Sequence, residues 1–292
     1  MSSRRRFLKE LGLVTAGLTV APQLDLMAAK KGWFKISLAE WSLHRMIFAG
    51  DLKNIDFPEY TRRTFDIEAV EYVNQFFKDK AKDMTYLKDL KNRAKDNGVK
   101  NVLIMIDGEG SLADADEKTR VQAVENHYKW IDAAHFLGCH AIRVNAAGKG
   151  SREEMGSQMV ESLSQLADYG KSGKISVVVE NHGGLSSHGD WLADVIQRVG
   201  KKNCGTLPDF GNFYEYDRYQ GTEDLMPYAK GVSAKTNVFD DEGNERNIDY
   251  ARMMDIVKKH KYKGYVGIEY EGTELSEVEG VKATKKLLER FL

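Results

Sequence analysis

Eight short apolar runs recur along the chain, each followed by a stretch of helical spacing, at intervals of roughly 25 to 35 residues. Strands are expected over 34–41, 67–73, 99–106, 141–144, 177–180, 205–208, 232–237 and 265–270. Helices are expected between them, over 83–97, 119–137, from Ser151 to about Gly170, 191–199, 223–229, 248–260 and 274–292. A further helix start is read at Asp56-Phe57-Pro58-Glu59, with Asp56 as the cap. Strand–helix alternation at this spacing implies parallel pairing with right-handed crossovers. Eight such units close into a ring more readily than they form an open sheet, so the expected fold is α/β, a (β/α)8 TIM barrel in a single domain. No strand runs into Gly-x-Gly-x-x-Gly, which argues against a dinucleotide-binding sheet.

Several of these strands end in acidic or amide residues. Val177-Val178-Val179 leads into Glu180-Asn181-His182-Gly183-Gly184, the sixth strand into Asp209-Phe210-Gly211-Asn212, and the eighth into Glu269-Tyr270-Glu271-Gly272. An ionised carboxylate at the end of an apolar strand is costly unless a metal or a cation compensates it. In a parallel barrel the three strand ends meet at one mouth, so Glu180, Asp209 and Glu269 are expected to converge there. Residues two apart on a strand face the same way, which pairs Glu180 with His182, Ser233 with Lys235, Arg143 with Asn145, and Glu269 with Glu271. Three acidic oxygen donors suit Mn²⁺ or Mg²⁺, and one imidazole widens the choice to Zn²⁺ or Co²⁺. Lys235 among carboxylates is the metal-free alternative, an ammonium that anchors charge or stabilises an oxyanion.

The stretches Ser37-Leu-Ala-Glu-Trp-Ser, Ala141-Ile-Arg-Val-Asn, Val178-Val-Glu-Asn-His-Gly-Gly, Leu207-Pro-Asp-Phe-Gly-Asn and Ile268-Glu-Tyr-Glu-Gly resemble the xylose-isomerase-like TIM barrels. That family comprises sugar (phosphate) isomerases and epimerases and also takes in AP endonucleases. The resemblance runs from about Trp33 to the end of the chain and implies Glu180, Asp209 and Glu269 as metal ligands. The family's seventh-strand His is replaced by Ser233, and its common His after Asp-x-Gly by Asn212. The endonuclease branch fits poorly. It needs more histidines on the early strands, where Glu71, Asn74 and Asp107 stand, and a basic surface, whereas the net charge is −1.

The expected chemistry is proton abstraction next to a sugar carbonyl, with Glu180 or Glu269 moving the proton and Lys235 or a divalent metal polarising the oxygen. The same deprotonation on a keto-glycoside, followed by loss of a leaving group, makes a lyase. A sugar-binding barrel without catalysis is the reading from another class. Expected substrate contacts are His182, Arg143, Asn145, Trp41, Glu40 and Asn212. Plainer roles stand beside these: Arg143 pairing with Glu180, Asp209 capping its turn, Trp41 only packing, His182 bonded to a loop carbonyl and His188 at the surface. Gly148-Lys149-Gly150-Ser151 lacks phosphate-loop spacing and reads as a turn with a helix cap.

Residues 1–30 read as a twin-arginine export signal. Arg4-Arg5-Arg6-Phe7-Leu8-Lys9 precedes an apolar run over 11–21 that is too short to span a bilayer. The barrel then occupies 31–292, working in the periplasm or beyond. The expected partner is a small-molecule sugar, with no nucleic acid, no membrane in the mature form, and a homo-oligomer left open. Cys139 and Cys204 each precede a strand and are read as buried thiols.

Overall fold

The computed structural model describes residues 32–292, so the export-signal reading lies outside the described residues. Within them, parallel strands β1 (Lys35–Ala39), β2 (Ala69–Val73), β3 (Lys100–Met105), β4 (Ala141–Val144), β5 (Ser176–Glu180), β6 (Cys204–Leu207), β7 (Val232–Thr236) and β8 (Tyr265–Tyr270) form one sheet. Its order is β6-β5-β4-β3-β2-β1-β8-β7. The ring closes between β6 and β7 through a thinner seam. Lys230 N–H donates to Thr206 O at 3.0 Å, Ser233 N–H to Pro208 O at 2.9 Å, and Phe210 N–H to Ser233 O at 3.1 Å. Pro208 has no N–H to offer, which interrupts a regular ladder at this point. The expected barrel is therefore present, and its thinnest join lies beside Asp209.

The helices around the ring are α1 (His44–Ala49), α2 (Phe57–Phe65), α3 (Met84–Asp96), α4 (Glu117–Leu137), α5 (Arg152–Ser172), α6 (Gly189–Val199), α7 (Arg218–Leu225), α8 (Tyr250–Lys259) and α9 (Glu277–Glu289). Ser151 caps α5 and Glu154 reaches back to the Ser151 N–H, so the Gly-Lys-Gly-Ser segment is the turn and cap that its spacing implied. Asp56 does not cap α2. It lies at the end of a 3₁₀ turn in helical backbone conformation, and its carboxylate pairs with Arg93 at 2.6 Å. The helix expected over 223–229 begins earlier, at Arg218, because the Asp217 carboxylate accepts from the N–H groups of Tyr219 and Gln220. Among the described residues no helix is long and apolar enough to cross a membrane. Both cysteines are free and buried.

Alternation along each strand sorts side chains into two environments. Val70, Tyr72, Ile142, Val177, Val179 and Ile268 face outward into the main core beneath the helices. Ala69, Val73, Met105, Ala141, Val178 and Leu207 fill the barrel interior. Among these interior residues are set Glu71, Arg143, Glu180, Ser233, Lys235 and Glu269, all buried. The apolar packing thus supplies a rigid ring, and the inward parity of five strands supplies the polar residues.

Two asparagines staple neighbouring strand ends. Asn181 donates to Asp209 O at 2.9 Å and accepts from Asp209 N–H at 2.7 Å. Asn74 and Asp107 repeat the arrangement between β2 and β3, both bonds at 2.9 Å. Asn181→Ala strands two backbone groups in a fully buried place. It is expected to cost about 2–4 kcal/mol in urea unfolding; a loss below 0.5 kcal/mol, on the order of an ordinary surface substitution, would contradict the staple.

Candidate active site

Glu180, Asp209 and Glu269 end three inward-facing strand segments, and each offers a carboxylate oxygen within 4.8 Å of the others. All three are buried. The convergence expected from the strand ends is present in the structure.

Their partners differ. Arg143 Nε lies 2.9 Å from Glu180, while its Nη1 bonds Asp107 at 2.8 Å and Asn145 at 3.0 Å. Asn212 donates to Glu180 at 3.2 Å. Lys235 Nζ bonds Glu269 at 2.8 Å, approaches Glu271 at 3.0 Å and stands 3.8 Å from Asp209. One Asp209 oxygen accepts from the N–H groups of Gly211 and Asn212, so it caps its own turn, and the other faces the triad. Asp209 therefore both caps its turn and stands within the acidic triad.

The charges do not balance. Among the described residues, Glu71, Asp107, Glu180, Asp209, Glu269 and Glu271 face only Arg143 and Lys235 as cations. Isolated buried charge is expensive, so the excess negative charge calls for protons or for a cation among the carboxylates. The Ser233 hydroxyl makes the same point locally. It lies 2.7 Å from Asp209 and 2.9 Å from Glu269, yet has one proton to donate. Burial pushes Asp209 up to about 6, against the pull of Lys235. Burial also pushes Glu180 well above the usual carboxylate range; Arg143 opposes this, and the neighbouring Glu269 and Asp209 reinforce it. Burial works against charge on Glu269 as well, but Lys235, the Arg143 charge and Ser233 together outweigh it and hold that carboxyl below its ordinary range. Three oxygen donors converging on excess negative charge fit a hard divalent ion as well as a shared proton.

Glu71 lies deeper. Ser37 donates to one of its oxygens at 2.6 Å, and the other has no hydrogen-bond partner among the described residues. A Cβ at position 267 would sit 2.7 Å from the Glu71 oxygens, so Gly267 on β8 makes the room for this carboxyl. Burial pushes it up to about 7.

The remaining expected contacts divide into three groups. Arg143, Asn145 and Asn212 lie in the network around the triad. His182 borders a cleft of about 980 Å³ over the ends of β4, β5 and β6, whose lining also includes Asn145, Lys149, His188 and Tyr214. Desolvation and the nearby Arg143 lower the His182 pKa. Trp41 stands on the opposite rim, donating to Glu271 at 2.6 Å and stacked with His44 and Phe76. Glu40 is not presented to the mouth. It is fully buried and bonded by Asn54 at 2.8 Å and by the Val73 N–H at 3.0 Å, where it ties β1 to β2. His188 was expected at the surface; it is half-buried in the cleft, edge-on to Tyr216. Sequence reasoning gave Asp107, Asn181 and Glu271 no place in the site. The parity of Glu271 pointed to it, but Asn181 has the opposite parity, and its bonds become evident only once β6 is placed beside β5.

A family model described as xylose isomerase-like TIM barrel matches residues 63–291. Among solved structures, a D-tagatose 3-epimerase-like protein superposes with a TM-score of 0.68 at 18% identity, over 88% of this chain and 98% of the other. The IolI protein with a bound zinc atom gives 0.71 at 15%, over 88% and 98%. The 3-keto-D-glucoside 4-epimerase YcjR from E. coli gives 0.64 at 15%, over 87% and 99%. No curated protein matches the sequence.

The Glu71 carboxyl ties stability to pH. In the folded state it keeps its proton up to about 7, whereas the unfolded chain loses it near 4.5. Its contribution is therefore full at acid pH and is lost as pH rises through 7, by up to about 3 kcal/mol. Denaturant unfolding between pH 5 and 8 is expected to show a shallower decline for Glu71→Gln than for the wild type. Parallel declines would refute the assignment.

Proposed function

The chain belongs to the xylose isomerase-like TIM barrels, and from that premise we propose that it is a sugar isomerase or epimerase that moves a proton on the carbon next to a carbonyl. The observation that carries this reading is the split between two neighbouring carboxyls. Glu269 is held ionised by Lys235, while burial favours the protonated form of Glu180. Paired carboxyls pushed in opposite directions are how one site provides both a base and an acid at one pH.

Glu269 takes the proton from the C–H next to the carbonyl, and Lys235 steadies the negative charge that develops. Glu180 delivers a proton. Delivery to the same carbon inverts it, and delivery to the neighbouring carbon interconverts aldose and ketose. Arg143 and Asn212 fix Glu180, while Asp209 and Ser233 keep Glu269 in register with Lys235. Glu180, Asp209 and Glu269 are the residues that would hold a divalent ion of the Mn²⁺ or Mg²⁺ type. Such an ion supplies Lewis-acid polarisation of the carbonyl. With Ser233 where the family has histidine, the donors are all oxygen, which favours hard cations over Zn²⁺. The Arg4-Arg5-Arg6-Phe7-Leu8-Lys9 segment supports export, and hence an unphosphorylated sugar.

A panel of ketoses, aldoses and keto-glycosides in D₂O, followed by NMR, tests the reaction. Deuterium is expected at the carbon next to the carbonyl, with Glu180→Gln and Glu269→Gln each slowing exchange by about 10² to 10⁴-fold. Release of a leaving group in the same spectra would turn the assignment toward elimination, and no exchange on any member would overturn it. Mn²⁺ titration followed by electron paramagnetic resonance is expected to show one bound ion per chain, weakened in Asp209→Asn. Equal binding by the variant would remove Asp209 from the ligand set.

A further inference from the structure

The cleft over β4–β6 is more than the reacting sugar needs. At about 980 Å³ it stands at the top of the range of small-molecule sites, about 300–1,000 Å³. It lies beside the triad rather than on it. None of Glu180, Asp209 or Glu269 lines it, yet Asn145 belongs to both places and His182 stands two residues past Glu180. A ring held with its reacting carbon at the triad therefore leaves this space open to whatever that ring carries.

The walls suit a second sugar. His182, His188 and Lys149 present polar groups. Tyr214 is the aromatic element: it lines the cleft, is 72% exposed, and has φ of +49°, a backbone region that non-glycine residues rarely adopt. Its neighbours hold it there. Phe213 is buried, the Tyr216 N–H donates to Phe213 O at 2.9 Å, and the Tyr216 hydroxyl bonds Asp224 at 2.8 Å. The loop is thus fixed on both sides of one aromatic side chain that is left facing solvent at the cleft edge. A flat, exposed ring with polar groups around it is suited to stacking on the apolar face of a pyranose while its hydroxyls are bonded.

Resting on the proton-transfer reading, we propose that this cleft is a subsite for the second ring of a glycosidically linked substrate, with Tyr214 as its stacking surface. The enzyme then acts on the terminal ring of a disaccharide-type keto-sugar in preference to the free monosaccharide.

The test compares 3-keto-glucose with 3-keto-cellobiose and 3-keto-maltose on the full chain. Deuterium exchange gives kcat/KM, and saturation-transfer NMR gives ring-by-ring contact. At least one disaccharide is expected to exceed the monosaccharide by about tenfold in kcat/KM, with saturation on its second ring. Tyr214→Ala should cut that preference by about fivefold, and Tyr214→Phe should retain it. Exchange on the monosaccharide with no gain from a second ring would overturn the subsite and leave the proton transfer standing. Second-ring saturation without exchange would keep the subsite and overturn the reaction. Absence of both would overturn the two together.

Discussion

The structure depends on a buried acidic layer that two cations cannot neutralise. Glu71, Glu180, Asp209 and Glu269 are each at most 4% exposed, and Arg143 and Lys235 are the basic side chains set among them. A fold driven only by burial would place valine and leucine here, as it does at neighbouring interior positions. The carboxyls are tolerated because the ring of strands is rigid, because each has at least one bonded partner, and because protons or a cation complete the charge. The same excess that costs stability is what the proposed proton transfer at neutral pH would draw on.

How the ring is held explains why the site sits where it does. The apolar outward faces anchor each strand against its helix, so inward residues have little freedom. The thin seam between β6 and β7 falls where Asp209 and Ser233 meet across the join. Asn181, at the end of β5, holds the Asp209 backbone from the other side of β6. The residue that faces the seam is thereby fixed through its backbone to β5, which also aims its carboxylate.

Much of this was legible in the sequence. Strand parity is a local property, so the inward pairs at 180 and 182, 233 and 235, and 269 and 271 could be read without coordinates, as could the eight-fold alternation. The ranges over 141–144 and 265–270 match β4 and β8 to the residue. What parity could not tell was how each inward carboxyl is used. Glu40 follows a strand as plausibly as Glu180 does, yet it closes on Asn54 and Val73. Asp56 has the composition of a cap, but the preceding 3₁₀ turn denies it the capping conformation. The helix at Arg218 was expected to start only at Glu223 because its start signal, Asp217, is followed by no apolar periodicity. The cleft and Tyr214 depend on three loops meeting, which no single segment reveals.

The central claim, that Glu180 carries a proton while Glu269 is ionised, is most directly tested by infrared difference spectroscopy at pH 7. Subtracting the spectrum of Glu180→Gln from that of the wild type is expected to leave the C=O band of a protonated carboxyl. Subtracting Glu269→Gln is expected to leave the paired bands of an ionised carboxylate. Ionised bands in both differences, or the two assignments exchanged, would contradict the account.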